Sequence, residues 1–476
     1  GRPPFHPLTR KIRRHKLCFI KTKLSTPFQK KMEVTLENFQ DFYMPIFVFL
    51  FLAIFYYYKS RPKPIYLLDY ACFKPPPIYR APIPSCLEVA YMFFKDNPRL
   101  VRFHRRVLER TGLGPETCVP PAILYFPPDP TLEDARDEAR LVIFSAIDEV
   151  FSKTGLGPED VDILITNCSI FCPSPSLSSM IVNKYKMKST IKTFSLSGMG
   201  CSASPISVDL ASRLLRVYPN SNALVISTEI ITPNCYMGNE RSMLVPGCLF
   251  RLGCAAVLLT NRQAEKNRAK YRLLHIVRTH KGPQDRAYNS VTHEEDSEGR
   301  LGISLSKELM VIAGEALTSN ITTLGPLVLP VSEMVRFAYN FIARKILGSK
   351  KIKPYVPNFN QVFDHFCVHA GGRAVIDELQ TGLRLSEGQV EASRMALYRF
   401  GNTSSSSIWY ELSYIEAKGR MKRGDRAWQI AFGSGFKCNS AVWQCNRDIK
   451  VKTDGYGAWS DCIDRYPIYV PEIFKW

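Results

Sequence analysis

The segment SLSGMGCSAS (195–204) sets one thiol where a strand-like run meets an amphipathic helical one. A cysteine held on a glycine turn at a helix start lies at the positive end of the macrodipole, beside free N–H groups, and both favour its thiolate. Gly198 and Gly200 let the backbone turn sharply and let a substrate approach. Cys201 is therefore a candidate nucleophile, and a buried cysteine at a helix start would carry the same local pattern. A cysteine nucleophile needs a base, most often histidine. Two of the eight histidines fall in DHFCVHAGGRAVID (364–377). His365 and His369 would share one face of a strand, with His369 at its end before Gly371-Gly372. A hydrogen-bonded core histidine describes His365 better than His369. Metal binding by the pair lacks a third ligand nearby.

Two further segments could hold a developing negative charge. In RFGNTSSSSIWYEL (399–412), Asn402 can donate its amide to an oxyanion or cap the helix that follows. In AFGSGFKCNSAVW (431–443), Gly433 and Gly435 shape a loop whose N–H groups could line an oxyanion hole, or simply close a hairpin. No segment matches the dinucleotide or P-loop fingerprints, and no cofactor or metal is expected.

Strands and helices must alternate to position these groups. Buried strands are expected at 161–167, 190–197, 222–230, 254–260 and 362–370, and in the two runs flanking Gly433–Gly435. Helical spacing covers 88–111, 131–153, 178–186, 202–217, 388–400 and 405–418. Residues 61–85 read as a proline-rich connector. Two alternating halves, 64–261 and 262–476, predict an α/β fold with internal pseudo-duplication.

The chain has 476 residues and a formal net charge of +20. Ten of its basic residues and no acid fall in residues 1–31, so a basic nucleic-acid binder is unlikely on charge alone and no nucleic acid is expected. The cysteines form no C-x-x-C pair and read as reduced, mostly buried thiols in a cytosol-facing domain. Residues 42–58, FYMPIFVFLFLAIFYYY, carry no charge and predict a single membrane anchor within 32–63. With Met32 as the start, acids precede this run and Lys59, Arg61 and Lys63 follow it, which places the rest of the chain in the cytosol. The ten positive charges of residues 1–31 argue for the opposite topology, so these residues are read as an untranslated or mis-annotated leader.

At its glycine turns the sequence resembles the plant 3-ketoacyl-CoA synthases, from Pro64 to about Lys450. SGMGCSAS, NITTLGPLVLP (320–330), HFCVHAGGRAVID, RFGNTSSSSIWYEL and GSGFKCNSAVW stand in that family's order and spacing. The resemblance implies a thiolase-like fold of five layers, αβαβα, built from two related halves. It implies Cys201 as nucleophile, His369 and Asn402 as the enolate-stabilising pair, and His280 and His365 as further family histidines. The implied reaction is decarboxylative condensation of malonyl-CoA with a long-chain acyl-CoA, at the endoplasmic reticulum membrane. The implied partners are a ketoacyl-CoA reductase, a dehydratase and an enoyl-CoA reductase, with a homodimer as the assembly. A type III polyketide synthase uses the same three residues, and a silent elongase subunit would lack its nucleophile. Ser197, Ser204, Cys254 and Tyr398 depart from the family pattern.

Overall fold

The structure, a computed structural model, describes residues 46–52, 63–347, 355, 357–450 and 457–470. Residues 46–52 are helical and exposed, and belong to a unit, residues 1–62, separate from the compact unit 63–476. Most of the apolar run 42–58, like the basic residues 1–31, lies outside the described residues. Among those described, no helix is long and apolar enough to cross a membrane.

The larger unit is built on one nine-stranded sheet. Its strands are β1 (Tyr66–Cys72), β2 (Ile163–Asn167), β3 (Lys192–Leu196), β4 (Asn222–Thr228), β5 (Cys254–Thr260), β6 (Tyr271–His280), β9 (His365–Val368), β10 (Arg426–Gly433) and β11 (Lys437–Cys445). The remaining two, β7 (Val291–Glu295) and β8 (Leu301–Leu305), form a separate hairpin. The sheet order is β3-β2-β4-β5-β1-β6-β11-β10-β9. One pairing pattern occurs twice. β2 runs parallel to β4, which pairs antiparallel with β5, and β5 pairs antiparallel with β1. Likewise β9 runs parallel to β10, β10 antiparallel to β11, and β11 antiparallel to β6. A short β1–β6 ladder joins the two sets.

Strand periodicity explains the layering, because successive side chains leave opposite faces. In β5, Ala255, Val257 and Leu259 enter a core shared with helices Ala203–Val217 and Ser407–Ala417. The alternate residues Ala256 and Leu258 enter a second core beneath helix Leu132–Thr154. In β10, Ala427 and Ala431 face the shared core, while Trp428 and Ile430 face a third, under helices Leu309–Val328 and Arg373–Leu383.

Two local expectations are corrected. The proline-rich connector contains β1, a fully buried strand. The helical run at 88–111 is two helices, Ile83–Phe93 and Pro98–Arg110, and Pro98 opens the second at a position needing no N–H donor. Between residues 261 and 362, where no element was expected, lie β6, β7, β8 and helices Leu309–Val328 and Val331–Leu347.

Candidate active site

β3 ends at Leu196, and Gly198 and Gly200 take φ of +63° and +68°. A single 3-10 turn, Gly200–Ser202, then delivers Cys201 to the start of helix Ala203–Val217. A Cβ on Gly200 would stand 2.4 Å from the Ser434 nitrogen. One on Gly433 would stand 2.6 Å from Ser202 Oγ and 2.7 Å from the Met199 carbonyl oxygen. The loop carrying Gly433 and Gly435 is thus packed backbone to backbone on the nucleophile's turn, and only glycine permits that approach.

Asn402 is fixed by its main chain between two residues of the neighbouring loop. Its N–H donates to the Leu249 carbonyl at 3.1 Å, and its own carbonyl accepts from the Arg251 N–H at 2.9 Å. Its side-chain Nδ2 donates to the Gly371 carbonyl at 3.2 Å, and its Oδ1 accepts from the Ser404 N–H at 2.9 Å. Gly371 lies two residues past His369, so Asn402 is tied to the histidine's turn. His369 is buried, with Nδ1 2.7 Å from Ser407 Oγ. Burial lowers its pKa to about 4, which keeps the imidazole neutral at physiological pH.

Ser404 completes the constellation. Its hydroxyl stands 3.4 Å from Cys201 Sγ and 3.0 Å from Glu229 Oε2. One hydroxyl proton serves one of them at a time: donated to sulfur it favours the thiolate, and donated to Glu229 it leaves the Ser404 oxygen to accept from the thiol. Ser404 itself sits at φ +53°, a left-handed conformation unusual for a residue with a side chain. The other Glu229 oxygen accepts from the Ser169 and Ile170 N–H groups, each at 2.8 Å, and from the Cys168 thiol at 3.3 Å. Burial raises the Glu229 pKa, and these donors work against it.

The expected thiolate is not the resting form. Burial pushes the Cys201 thiol up to about 12; the Ser404 bond lowers it and the Glu229 charge raises it further. The loss of solvation outweighs the helix start. A thiol in this setting would need a proton acceptor to act as a nucleophile.

The two remaining histidines stand apart from this cluster. His365 occupies the opposite end of β9, where its Nε2 pairs with Asp425 Oδ2 at 2.9 Å. The shared strand face does not bring it to Cys201, because four residues of strand span about 13 Å. His280 ends β6 beside the glycine loop: its Nδ1 accepts from the Gly282 N–H at 2.9 Å, and a Cβ on Gly435 would stand 3.6 Å from its Cε1. Its pKa is lowered by burial and by the Lys437 and Arg278 charges. Cys438 is buried in β11 with its pKa raised by burial, in keeping with a structural thiol. The thirteen described cysteines are all unpaired.

Sequence reasoning missed Ser404, Ser407 and Glu229. The polar run 403–407 was visible, but nothing local in it told which hydroxyls turn toward Cys201 or His369. Glu229 lies just past β4, at the end of the run NALVISTEI, and an acid beside that buried strand was the available signal.

The fold is that of the thiolase-like condensing enzymes. The chain belongs to the 3-ketoacyl-CoA synthase family. Residues 57–346 match the family described as FAE1/Type III polyketide synthase-like protein, and residues 338–445 match the C-terminal domain of chalcone and stilbene synthases. Among curated relatives, 3-ketoacyl-CoA synthase 5 of Arabidopsis thaliana is 64% identical, over 89% of this chain and 86% of its own. The synthase numbered 6 of the same plant is 63% identical, over 88% and 84%. Among solved structures, 1,3,6,8-tetrahydroxynaphthalene synthase of Streptomyces coelicolor, a type III polyketide synthase, aligns with a TM-score of 0.62 at 20% identity. That alignment covers 80% of this chain and 99% of the synthase, and at this identity it speaks for the fold.

Proposed function

We propose that the chain joins malonyl-CoA to a long-chain acyl-CoA by decarboxylative Claisen condensation, releasing a 3-ketoacyl-CoA two carbons longer. One observation carries this reading: Cys201, Asn402 and His369 are linked through Ser404 and Gly371 into a single hydrogen-bonded site. Cys201 sulfur attacks the acyl thioester carbonyl while its proton leaves, by way of the Ser404 hydroxyl toward Glu229. The collapsing intermediate expels the CoA thiolate, which takes up a proton. Malonyl-CoA then loses CO2, and the electron pair of the broken bond moves onto its thioester oxygen as an enolate.

Such an oxygen needs hydrogen-bond donors rather than a strong base. A neutral His369 supplies one from Nε2 in the tautomer where Ser407 donates to Nδ1, and Asn402 Nδ2 supplies a second. The enolate carbon attacks acyl-Cys201, and the thiolate released is reprotonated. The N–H groups beside Gly433 and Gly435 are suited to the oxyanion at the Cys201 carbonyl. In this reading His280 flanks the opening and His365 supports β9.

The wider setting is proposed on the same family basis: a five-layered, two-half core, an N-terminal anchor in the endoplasmic reticulum membrane, and a cytosolic active site. Products would pass to a ketoacyl-CoA reductase, a dehydratase and an enoyl-CoA reductase, and the enzyme would act as a homodimer. The test is product analysis with labelled malonyl-CoA and a series of long acyl-CoAs. Extended 3-ketoacyl products from wild type and none from Cys201→Ala are expected. Equal product from both would overturn the nucleophile, and aromatic polyketides would favour the polyketide synthase reading.

A further inference from the structure

Strand directions give the sheet two unlike ends. Gly433, His280, Thr228 and the His369 turn mark the end that carries Cys201. Arg426, Cys445, Tyr271, His365 and Tyr66 mark the other, about 23 Å away along β10.

Three independent features gather at this distal end. The compact unit begins there, at Lys63, shortly before β1. An open cavity of about 490 Å³ lies at the strand ends, and Lys266, Arg272, Arg423 and Arg447 line it, with Asp448 the one carboxylate among its lining residues. Asn446 also lines it, and its side-chain nitrogen is buried without an acceptor among the described residues. The third feature is helix Val331–Leu347. Its first turn is held near the start of β9, where Glu333 Oε2 accepts from the Tyr355 hydroxyl at 2.7 Å and the Asn358 N–H at 3.0 Å. The turn Phe359–Gln361 then leads into β9 at His365.

That helix exposes Val331, Val335, Phe337, Tyr339, Phe341 and Ile342, with Phe337 and Phe341 stacked at 6.4 Å. Val331, Val335, Tyr339 and Ile342 share one face of the helix, an apolar stripe of the kind a helix presents to an apolar partner, and Phe337 and Phe341 add apolar surface beside it. The chain around them is basic: Arg336 and Arg344 interrupt the apolar residues, and Lys345, Lys350, Lys351 and Lys353 follow in sequence. Arg336 is paired with Glu333 at 3.1 Å. Apolar and aromatic side chains among lysines and arginines are what a helix needs to lie in a bilayer interface, and a neighbouring basic surface draws anionic headgroups. Charge complementarity thus favours anionic lipid over a second copy of this chain, whose matching face would carry the same four basic side chains against one carboxylate.

We infer that the distal end of the sheet is a docking face for an anionic bilayer surface, with helix Val331–Leu347 lying in the headgroup–acyl boundary. This contact is separate from the N-terminal apolar run and from the condensation chemistry.

The test uses the full-length chain carrying Tyr339→Trp, a site 76% exposed and free to accept the ring. It is reconstituted in phosphatidylcholine–phosphatidylinositol vesicles with or without brominated acyl chains, and flotation is followed in parallel. The emission added by the new tryptophan, relative to wild type, is expected to shift to the blue and to lose most of its intensity with brominated lipid. Arg272→Glu together with Arg423→Glu is expected to weaken that quenching, and unchanged quenching would overturn the role of the basic cavity. A chain that floats with emission unquenched overturns the docking face while leaving the anchor standing. A blue shift insensitive to bromine overturns it in favour of a protein cover. A chain that fails to float overturns both membrane readings.

Discussion

At the residue scale, the site is a chain of short polar contacts linking Cys201, Ser404, Glu229, Asn402 and the His369 turn. Burial raises the Cys201 thiol above its ordinary value, so the proposed attack depends on proton removal, for which Ser404 is the neighbouring hydroxyl. Iodoacetamide labelling of the Cys201 peptide, read by mass spectrometry, should rise about tenfold per pH unit up to pH 9 without levelling. A plateau near neutrality would contradict this. Ser404→Gly removes the hydroxyl while suiting the left-handed backbone, and should lower kcat by about tenfold to a hundredfold, the scale of one hydrogen bond to a charging group. An unchanged kcat would remove Ser404 from the mechanism. Cys201, His369 and Asn402 were legible because each sits beside its own glycine turn in sequence. Ser404 and Glu229 were not, since 203 residues separate Ser404 from Cys201 and 175 separate it from Glu229. Folding alone brings them together. Ser204, a departure from the family pattern, has a plain structural reason: its Oγ accepts from the Trp409 indole N–H at 2.7 Å, joining the two central helices.

At the element scale, the nucleophile turn and the β10–β11 loop form one unit. Gly200→Ala meets both a positive φ and a backbone nitrogen at 2.4 Å. Strain at such positions is on the order of 1–3 kcal/mol, so thermal denaturation should show a lower Tm and the assay little or no product. A variant with normal activity would show that the loop does not need this close contact. Helices with clear apolar spacing were readable, as was the cap of Leu132–Thr154: Thr131 Oγ1 accepts from the Asp134 N–H while Asp134 accepts from the Thr131 N–H. β1 was hidden because prolines flank it on both sides, and a fully buried strand lacks the alternation that marks a half-exposed one. β6 was hidden for the opposite reason, since its ten residues mix exposed, intermediate and buried positions with no clean period.

At the scale of the whole molecule, the pairing pattern shared by β2-β4-β5-β1 and β9-β10-β11-β6 places both glycine-turn histidine and cysteine at one sheet end. Basic residues and an exposed apolar helix gather at the other. The alternation in sequence foretold an α/β duplication, whereas the burden carried by each end emerged only from strand direction. Stability also has a global pH signature. His104 is mostly buried against Phe94, and burial lowers its pKa to about 4. Its folded pKa lies below the unfolded value near 6.5, so the unfolded chain gains the proton first as pH falls. His104 thus costs up to about 3 kcal/mol as pH drops from 6.5 to 4. His104→Phe should gain stability relative to wild type across that window, seen as a Tm difference that widens with acid. A constant difference would show that His104 is protonated in the folded state.

The central claim is that the growing chain is carried on Cys201. Intact-protein and peptide mass spectrometry after brief incubation with a long-chain acyl-CoA, before malonyl-CoA is added, tests it most directly. One acyl group on the peptide containing Cys201, discharged when malonyl-CoA follows, is the predicted result. An unmodified Cys201 in an active enzyme, or an acyl group on another residue that malonyl-CoA discharges, would contradict it.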